Sequence, residues 1–207
     1  MIKVGNNSEA SHSLLIIFYR NPELGKVKTR LAKTIGEERA LAIYIKLSSH
    51  TRDITKGLAI TKVIYYSEFA DTEDHWPNTS YQKRVQQGND LGEKMHDAFV
   101  NAFEDGYKSV CIIGTDCLEL TPSVIKNAFK LLTTHDAVIG PAVDGGYFLL
   151  GMNKLHPEIF KEKSWSTESV CADTISDFIN LKLSFSKLEM LSDIDDENDL
   201  LRSGKLL

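Results

Sequence analysis

The chain has 207 residues, 42% of them hydrophobic and 26% charged, with a formal net charge of −5. That length supports a single self-sufficient core without disulfide or metal staples. The acidic balance excludes a broad nucleic-acid or anionic-membrane surface, so an anionic ligand needs a local basic patch.

Three cysteines, Cys111, Cys117 and Cys171, form no CxxC pair. They read as reduced thiols in or near the core, not as a disulfide frame or a zinc site. The longest apolar run, Leu14 to Tyr19, is far too short to cross a bilayer. Residues 1–12 lack the basic start and apolar stretch of a signal peptide and read as a loose tail. One domain is expected over 13–207, in the cytoplasm.

Leu14–Tyr19 is a continuous apolar run, as expected of a strand covered on both faces. A loop follows from Arg20 to Arg30. Ala40, Ile43, Leu47, Ile54 and Leu58 then fall on one helical face. Lys62–Ser67 is a second strand, and Glu68–Asn89 reads as a long polar surface excursion. Asp90 is placed to cap a helix, with Glu93 in the answering capping-box position and Leu91, Met95, Phe99, Ala102 and Phe103 inward. Val110–Gly114 is a third strand, and Thr121-Pro122 starts another helix. Ala137–Gly140 and Tyr147–Leu150 are strands four and five. Ser166 or Thr167 is expected to open a helix, followed by a weak strand over Phe185–Leu191 and a short helix near Glu197–Arg202 ending at Gly204. Strand alternating with helix implies right-handed βαβ units and a mainly parallel α/β sheet, whose ligands bind beyond the carboxyl ends of the strands.

Four segments at such ends carry chemistry. Gly25, Lys26, Val27, Lys28, Thr29 and Arg30 place three cations within five residues after the first strand. Lysine supplies a point charge and arginine a bidentate fork for phosphate oxygens. On an extended loop Lys28 and Arg30 point the same way; a merely solvated charged loop is the plainer alternative. Asp116, after the third strand, suits Mg²⁺ or Mn²⁺, or serves as a turn residue. Asp144, Gly145 and Gly146 bring a carboxylate and bare backbone close to a ligand, or form an Asp-Gly hairpin turn. At Trp165-Ser166-Thr167 a helix N-terminus attracts an anion or is simply capped. Farther on, Asp193 and Asp195 alternate around Ile194, so one of them can stand beside Asp116, or the acidic run only answers a helix dipole. The six histidines show no metal spacing.

Taken in order, Gly25–Leu31, Gln87–Met95, Ile113–Cys117, Gly140–Tyr147, Trp165–Thr167 and Asp193–Asp195 resemble the DUF2064 group of GT-A-type transferases, within the nucleotide-diphospho-sugar transferase superfamily. The resemblance covers about residues 13–203. It implies a Rossmann-like GT-A fold, a nucleotide or nucleotide-sugar ligand, and Mg²⁺ or Mn²⁺. Carried over by position, Lys28 and Arg30 would hold phosphates, Asp116 would hold the metal, and Asp144, Gly145 and Gly146 would face donor sugar or acceptor; Asp193 and Asp195 are the further metal candidates from their spacing. Asp144 and Lys28 are the catalytic candidates. Gly25, Lys26, Thr29, Gln87, Ser166 and Thr167 complete the nucleotide-binding set. Two departures stand out. The usual Asp-x-Asp becomes Asp116-Cys117-Leu118, and the first loop has one glycine where sugar-nucleotide pyrophosphorylases have several.

Three functions follow as expectations. The first is a metal-dependent transferase with a nucleotide-diphospho-sugar donor. The second is a nucleotidyltransferase releasing pyrophosphate from an NTP, as in the similar phospholactate guanylyltransferases. The third is a nucleotide-binding regulator without turnover. The acceptor and the oligomeric state are not encoded in any motif.

Overall fold

The structure, a computed structural model, describes residues 12–204. The expected tail at residues 1–12 lies, except for His12, outside the described residues. Strands and helices run β1 (Ser13–Tyr19), α1 (Thr29–Ile35), α2 (Glu37–Thr55), β2 (Thr61–Tyr66), β3 (Gln82–Val85), α3 (Leu91–Glu104) and β4 (Ser109–Ile113). They continue α4 (Pro122–Leu131), β5 (Ala137–Pro141), β6 (Tyr147–Met152), α5 (Val170–Asn180), β7 (Phe185–Lys187) and α6 (Glu197–Arg202).

The strands form one seven-stranded sheet in the order β3-β2-β1-β4-β6-β5-β7. β1 pairs in parallel with β2 and β4, β2 with β3, and β5 with β7; β6 runs antiparallel to β4 and β5. The mainly parallel α/β sheet expected from the sequence is therefore present. Alternate strand residues feed two cores on opposite faces, as the pleat requires. Leu15, Ile17, Ile64 and Ile113 join Tyr44 of α2 and Ile125 of α4 on one face. Leu14, Ile16, Val63 and Ile112 join Phe99 of α3 and Phe178 of α5 on the other. A third cluster, Leu31, Ala40, Ile43, Leu47, Leu118 and Ile194, lies where α1 and α2 meet the chain after β4. All three cysteines are free and buried.

The order of the sheet also locates the site. From β1 the chain moves outward to β2 and β3, then returns across β1 to β4. The connections leaving β1 and β4 diverge there, which opens a crevice beyond their carboxyl ends.

Some elements differ from the sequence reading. Glu68–Asn89 is not only a surface excursion. It contains β3, and it buries Trp76 completely and Tyr81 nearly so. The rings of Tyr19 and Trp76 meet at 5.6 Å, and those of Trp76 and Tyr81 at 5.2 Å, edge to face. Two large aromatics thus anchor a polar segment that has little periodicity. The expected helix start at Ser166 or Thr167 moves to Val170, because Ser166 adopts φ +62°, which no right-handed helix accommodates. The last strand is shorter than Phe185–Leu191. It ends at Lys187, after which the Leu188 N–H still donates to the Ile139 carbonyl of β5 and Leu191 forms a bridge with Ala142. A helix begins within the first loop, at Thr29, and Gly36 at φ +87° separates it from α2. Asp90 caps α3, its carboxylate accepting from the Glu93 N–H at 2.8 Å, while the Glu93 carboxylate accepts from Asn89. Among the described residues no helix is long and apolar enough to cross a membrane.

Candidate active site

A cleft of about 730 Å³ lies at the switch point between β1 and β4. Its first wall comes from the loop after β1. Buried Val27 pins this loop to the core. The next residue, Lys28, adopts φ +48°, ψ +45°, immediately before α1. A left-handed conformation costs a non-glycine residue on the order of 1–3 kcal/mol and persists only where its surroundings enforce it. Here the surroundings are carboxylates. Lys28 Nζ lies 2.8 Å from Asp116 Oδ1 and 2.8 Å from Asp195 Oδ1, and its side chain is only 4% exposed. Burial alone would lower the lysine pKa, but the two carboxylates outweigh it and raise the ammonium above its ordinary value.

The opposing acids are placed by a backbone hydrogen bond. The Ile194 N–H donates to the Asp116 carbonyl at 3.0 Å. Ile194 is buried beside Leu118 and Leu31, so in this extended stretch the neighbouring side chains face the other way. Asp195 thereby reaches Lys28. Asp193 lines the cleft with its Oδ1 buried and without a hydrogen-bond partner. Burial, reinforced by the Asp116 charge and opposed by Lys28, pushes the Asp193 carboxyl up to about 7. Cys117 does not join this group: it packs into the core, where burial pushes its thiol up to about 12.

The far wall is the β5–β6 turn with the segment before α5. Asp144 Oδ1 accepts from the Gly146 N–H at 2.9 Å, and both residues line the cleft. Gly145 holds the two pieces together. It has φ +87°, a Cβ there would lie 2.0 Å from the Glu168 carbonyl oxygen, and its own carbonyl accepts from the Cys171 N–H at 3.0 Å. Trp165 lies on α3 because Gly92 has no side chain, since a Cβ would meet the indole at 2.4 Å.

Most residues singled out in the sequence converge here. Lys28, Thr29, Arg30, Asp116, Asp144, Gly146, Ser166, Thr167, Asp193 and Asp195 all line the cleft. Gly25, Lys26, Gln87 and Gly145 lie outside that lining. Lys26 is exposed and pairs with Glu23 at 2.8 Å and Glu68 at 3.7 Å. Gln86 lines the cleft in place of Gln87. It continues β3, its Nε2 donates to the Tyr65 carbonyl at 2.9 Å, and its successor points away. The expected parity of Lys28 and Arg30 on an extended loop does not hold, because α1 starts at Thr29. Arg30 nevertheless reaches the cleft from the helix, as does Arg20 from the loop. The sequence reading missed Arg20, Tyr44 and Lys94. Arg20 carried a usable signal, being the first charge after the Leu14–Tyr19 run. Tyr44 carried none; its hydroxyl donates to the Arg20 carbonyl at 2.7 Å and accepts from the Arg20 N–H at 2.9 Å.

The profile of one bacterial family, described as an uncharacterized protein conserved in bacteria (DUF2064), matches residues 52–167. A crystal structure of a candidate nucleotide-diphospho-sugar transferase from Desulfovibrio desulfuricans shares 32% identity over 95% of this chain and 89% of that one, with a TM-score of 0.86. The chain belongs to the DUF2064 family. Other solved structures share the fold alone with this DUF2064 protein. 4-Diphosphocytidyl-2C-methyl-D-erythritol synthase from Anaerococcus prevotii aligns over 95% of this chain and 96% of its own at 9% identity and a TM-score of 0.59. The inositol-1-phosphate CTP transferase from T. maritima aligns over 92% and 91% at 14% identity and 0.52. No functionally curated protein matches the chain.

In this DUF2064 protein the cleft carries charges of both signs. Arg20, Lys28, Arg30 and Lys94 offer donors for phosphate oxygens, and Asp116, Asp144, Asp193 and Asp195 offer hard oxygen acceptors. Among the described residues no three His, Cys, Asp or Glu side chains stand as a ready metal cage. Mg²⁺ needs only one or two carboxylates, with substrate phosphates and waters completing its shell. The donor chemistry suits such an ion: one buried carboxylate oxygen of Asp193 lacks a partner, and a cation, the Lys28 ammonium, bridges the other two acids.

Proposed function

We propose that the chain is a divalent-metal-dependent transferase whose donor is a nucleotide-diphospho-sugar. The observation that carries this reading is the Lys28–Asp116–Asp195 bridge beside the unpartnered Asp193 oxygen, on the floor of a cleft walled by three further cations. Asp116 and Asp193 would hold Mg²⁺ or Mn²⁺, with Asp195 adjacent, and the ion would supply charge neutralisation for a departing diphosphate. Arg20, Arg30 and Lys28 bind and orient the phosphate oxygens and stabilise charge as it grows there. Asp144 has one oxygen fixed by the Gly146 N–H, and its other oxygen accepts a proton or hydrogen bond from the acceptor hydroxyl. The named likeness to a nucleotide-diphospho-sugar transferase supports the donor class.

One observation favours a second reading, nucleotidyl transfer from an NTP to an acceptor phosphate. Cys117 is in the core, so the motif after β4 supplies one acid, not the Asp-x-Asp of many glycosyltransferases, and the cations Arg20, Arg30 and Lys94 that line the cleft suit attack at phosphorus.

The test is an assay of the purified protein with Mn²⁺ against two panels. Metal-dependent release of nucleoside diphosphate from an NDP-sugar, without pyrophosphate from any NTP, supports the first reading. Pyrophosphate release dependent on a sugar phosphate or related acceptor supports the second. Turnover of neither panel, with nucleotide bound, leaves a regulator.

A further inference from the structure

Lys28 occupies a position that two different partners compete for. Its ammonium is held at 2.8 Å by Asp116 and at 2.8 Å by Asp195, with the side chain almost wholly buried. The backbone is held in the left-handed region to put it there. An ammonium and a divalent ion sharing the same carboxylate oxygen repel, so they exclude one another from that gap. The lysine stem is a flexible chain of four carbons, and Arg20, Arg30 and Lys94 also line the cleft, with charges suited to anionic oxygens.

Resting on the metal-dependent reading above, we propose that Lys28 is an internal counter-ion that bars the metal from Asp116, the acid it bridges to Asp195, until phosphate oxygens draw its ammonium away. The ligand class that enters is then a metal–oligophosphate complex, not a bare cation. One side chain serves two states: it neutralises the acids before the ligand arrives, and it binds phosphate afterwards. Metal and phosphate are coupled through it, because each is favoured by the displacement the other requires. Before phosphate arrives, the protein resists loading by metal alone and so avoids a tightly held ion in an unproductive site.

The proposal predicts effects of opposite sign from one substitution. Lys28→Met removes the ammonium and keeps the length of the side chain. Manganese alone, followed by the electron paramagnetic resonance of free Mn²⁺, should bind Lys28→Met at least tenfold more tightly than wild type. Inorganic pyrophosphate alone, followed by calorimetry, should bind the same variant at least tenfold more weakly. Loss of structure would weaken both ligands together, so the opposed pair separates the proposal from mere damage. If Lys28→Met does not fold, Lys28→Gln keeps amide donors toward both carboxylates without the charge and carries the same test. Should the variant bind Mn²⁺ no more tightly than wild type while Asp193→Asn loses Mn²⁺ binding, the counter-ion proposal is overturned and the metal site stands. If neither wild type nor the Lys28 variant takes up Mn²⁺, with pyrophosphate present or absent, the metal-dependent reading falls and the proposal falls with it.

Discussion

Asp193 carries the clearest consequence at the scale of a single residue. Its carboxyl is raised from an ordinary 3.8 to about 7 by burial and by the neighbouring Asp116. The folded chain therefore binds that proton more tightly than the unfolded chain. The resulting stabilisation is fully present below about pH 3.8 and is lost as pH rises through 7. Metal-free protein should lose as much as about 4 kcal/mol from this group between those limits, and Asp193→Asn should flatten that part of the profile. Urea midpoints from pH 4 to 8 for both proteins check this, and parallel profiles would refute the assignment. The basic loop gives a second contrast. Arg30 lines the cleft, whereas Lys26 is exposed and paired with Glu23 and Glu68. Arg30→Ala should weaken a nucleoside diphosphate by roughly 10- to 150-fold, the value of a charge-assisted contact, and Lys26→Ala should leave it unchanged. Calorimetric titration of the two variants decides it. Asp116 was legible in the sequence because an acid just after an apolar strand has few places to go, and Lys28 because it belongs to a cluster of three cations in the loop after β1. Gln86 was not. Choosing it over Gln87 needs the parity of β3, a strand of four polar or half-buried residues.

Elements position these groups through bare backbone as much as through side chains. The β5–β6 turn and the segment before α5 meet at Gly145, and Trp165 meets α3 at Gly92. Gly92→Ala should push the indole off the helix and into the cleft. Nucleotide binding should weaken while the fold persists, since α3 keeps its capped start and its inward Met95 and Phe99. Trp165 fluorescence reads the displacement directly, because the other tryptophan, Trp76, is fully buried elsewhere. An unchanged spectrum and unchanged affinity would show that the Trp165 contact does not shape the cleft. Apolar runs announced β1, β2 and β4, and caps announced α3 and α4. Sequence could not place the start of α5, because Ser166 is left-handed and the segment after it is tied to the distant β5–β6 turn by the hydrogen bond from the Cys171 N–H to the Gly145 carbonyl.

For the whole molecule, topology does the assembling. The strand order brings the carboxyl ends of β1 and β4 side by side, and the last segment, pinned by Ile194, lays two more acids across them. Alternating strands and helices made this sheet legible, while the contact between Asp116 and Ile194, far apart in the chain, was available only as a spacing of two acids. The proposed function requires the cleft to bind a diphosphate together with a divalent ion. The measurement that tests it most directly is the thermal unfolding of wild-type protein with nucleoside diphosphates or their nucleosides, each with and without Mn²⁺. At least one diphosphate should stabilise the protein strongly only when Mn²⁺ is present, by about 2.7 kcal/mol at 100 times its dissociation constant. Its nucleoside should do little with or without the metal. Equal stabilisation by nucleoside and diphosphate, or stabilisation by diphosphate that ignores Mn²⁺, would contradict the account.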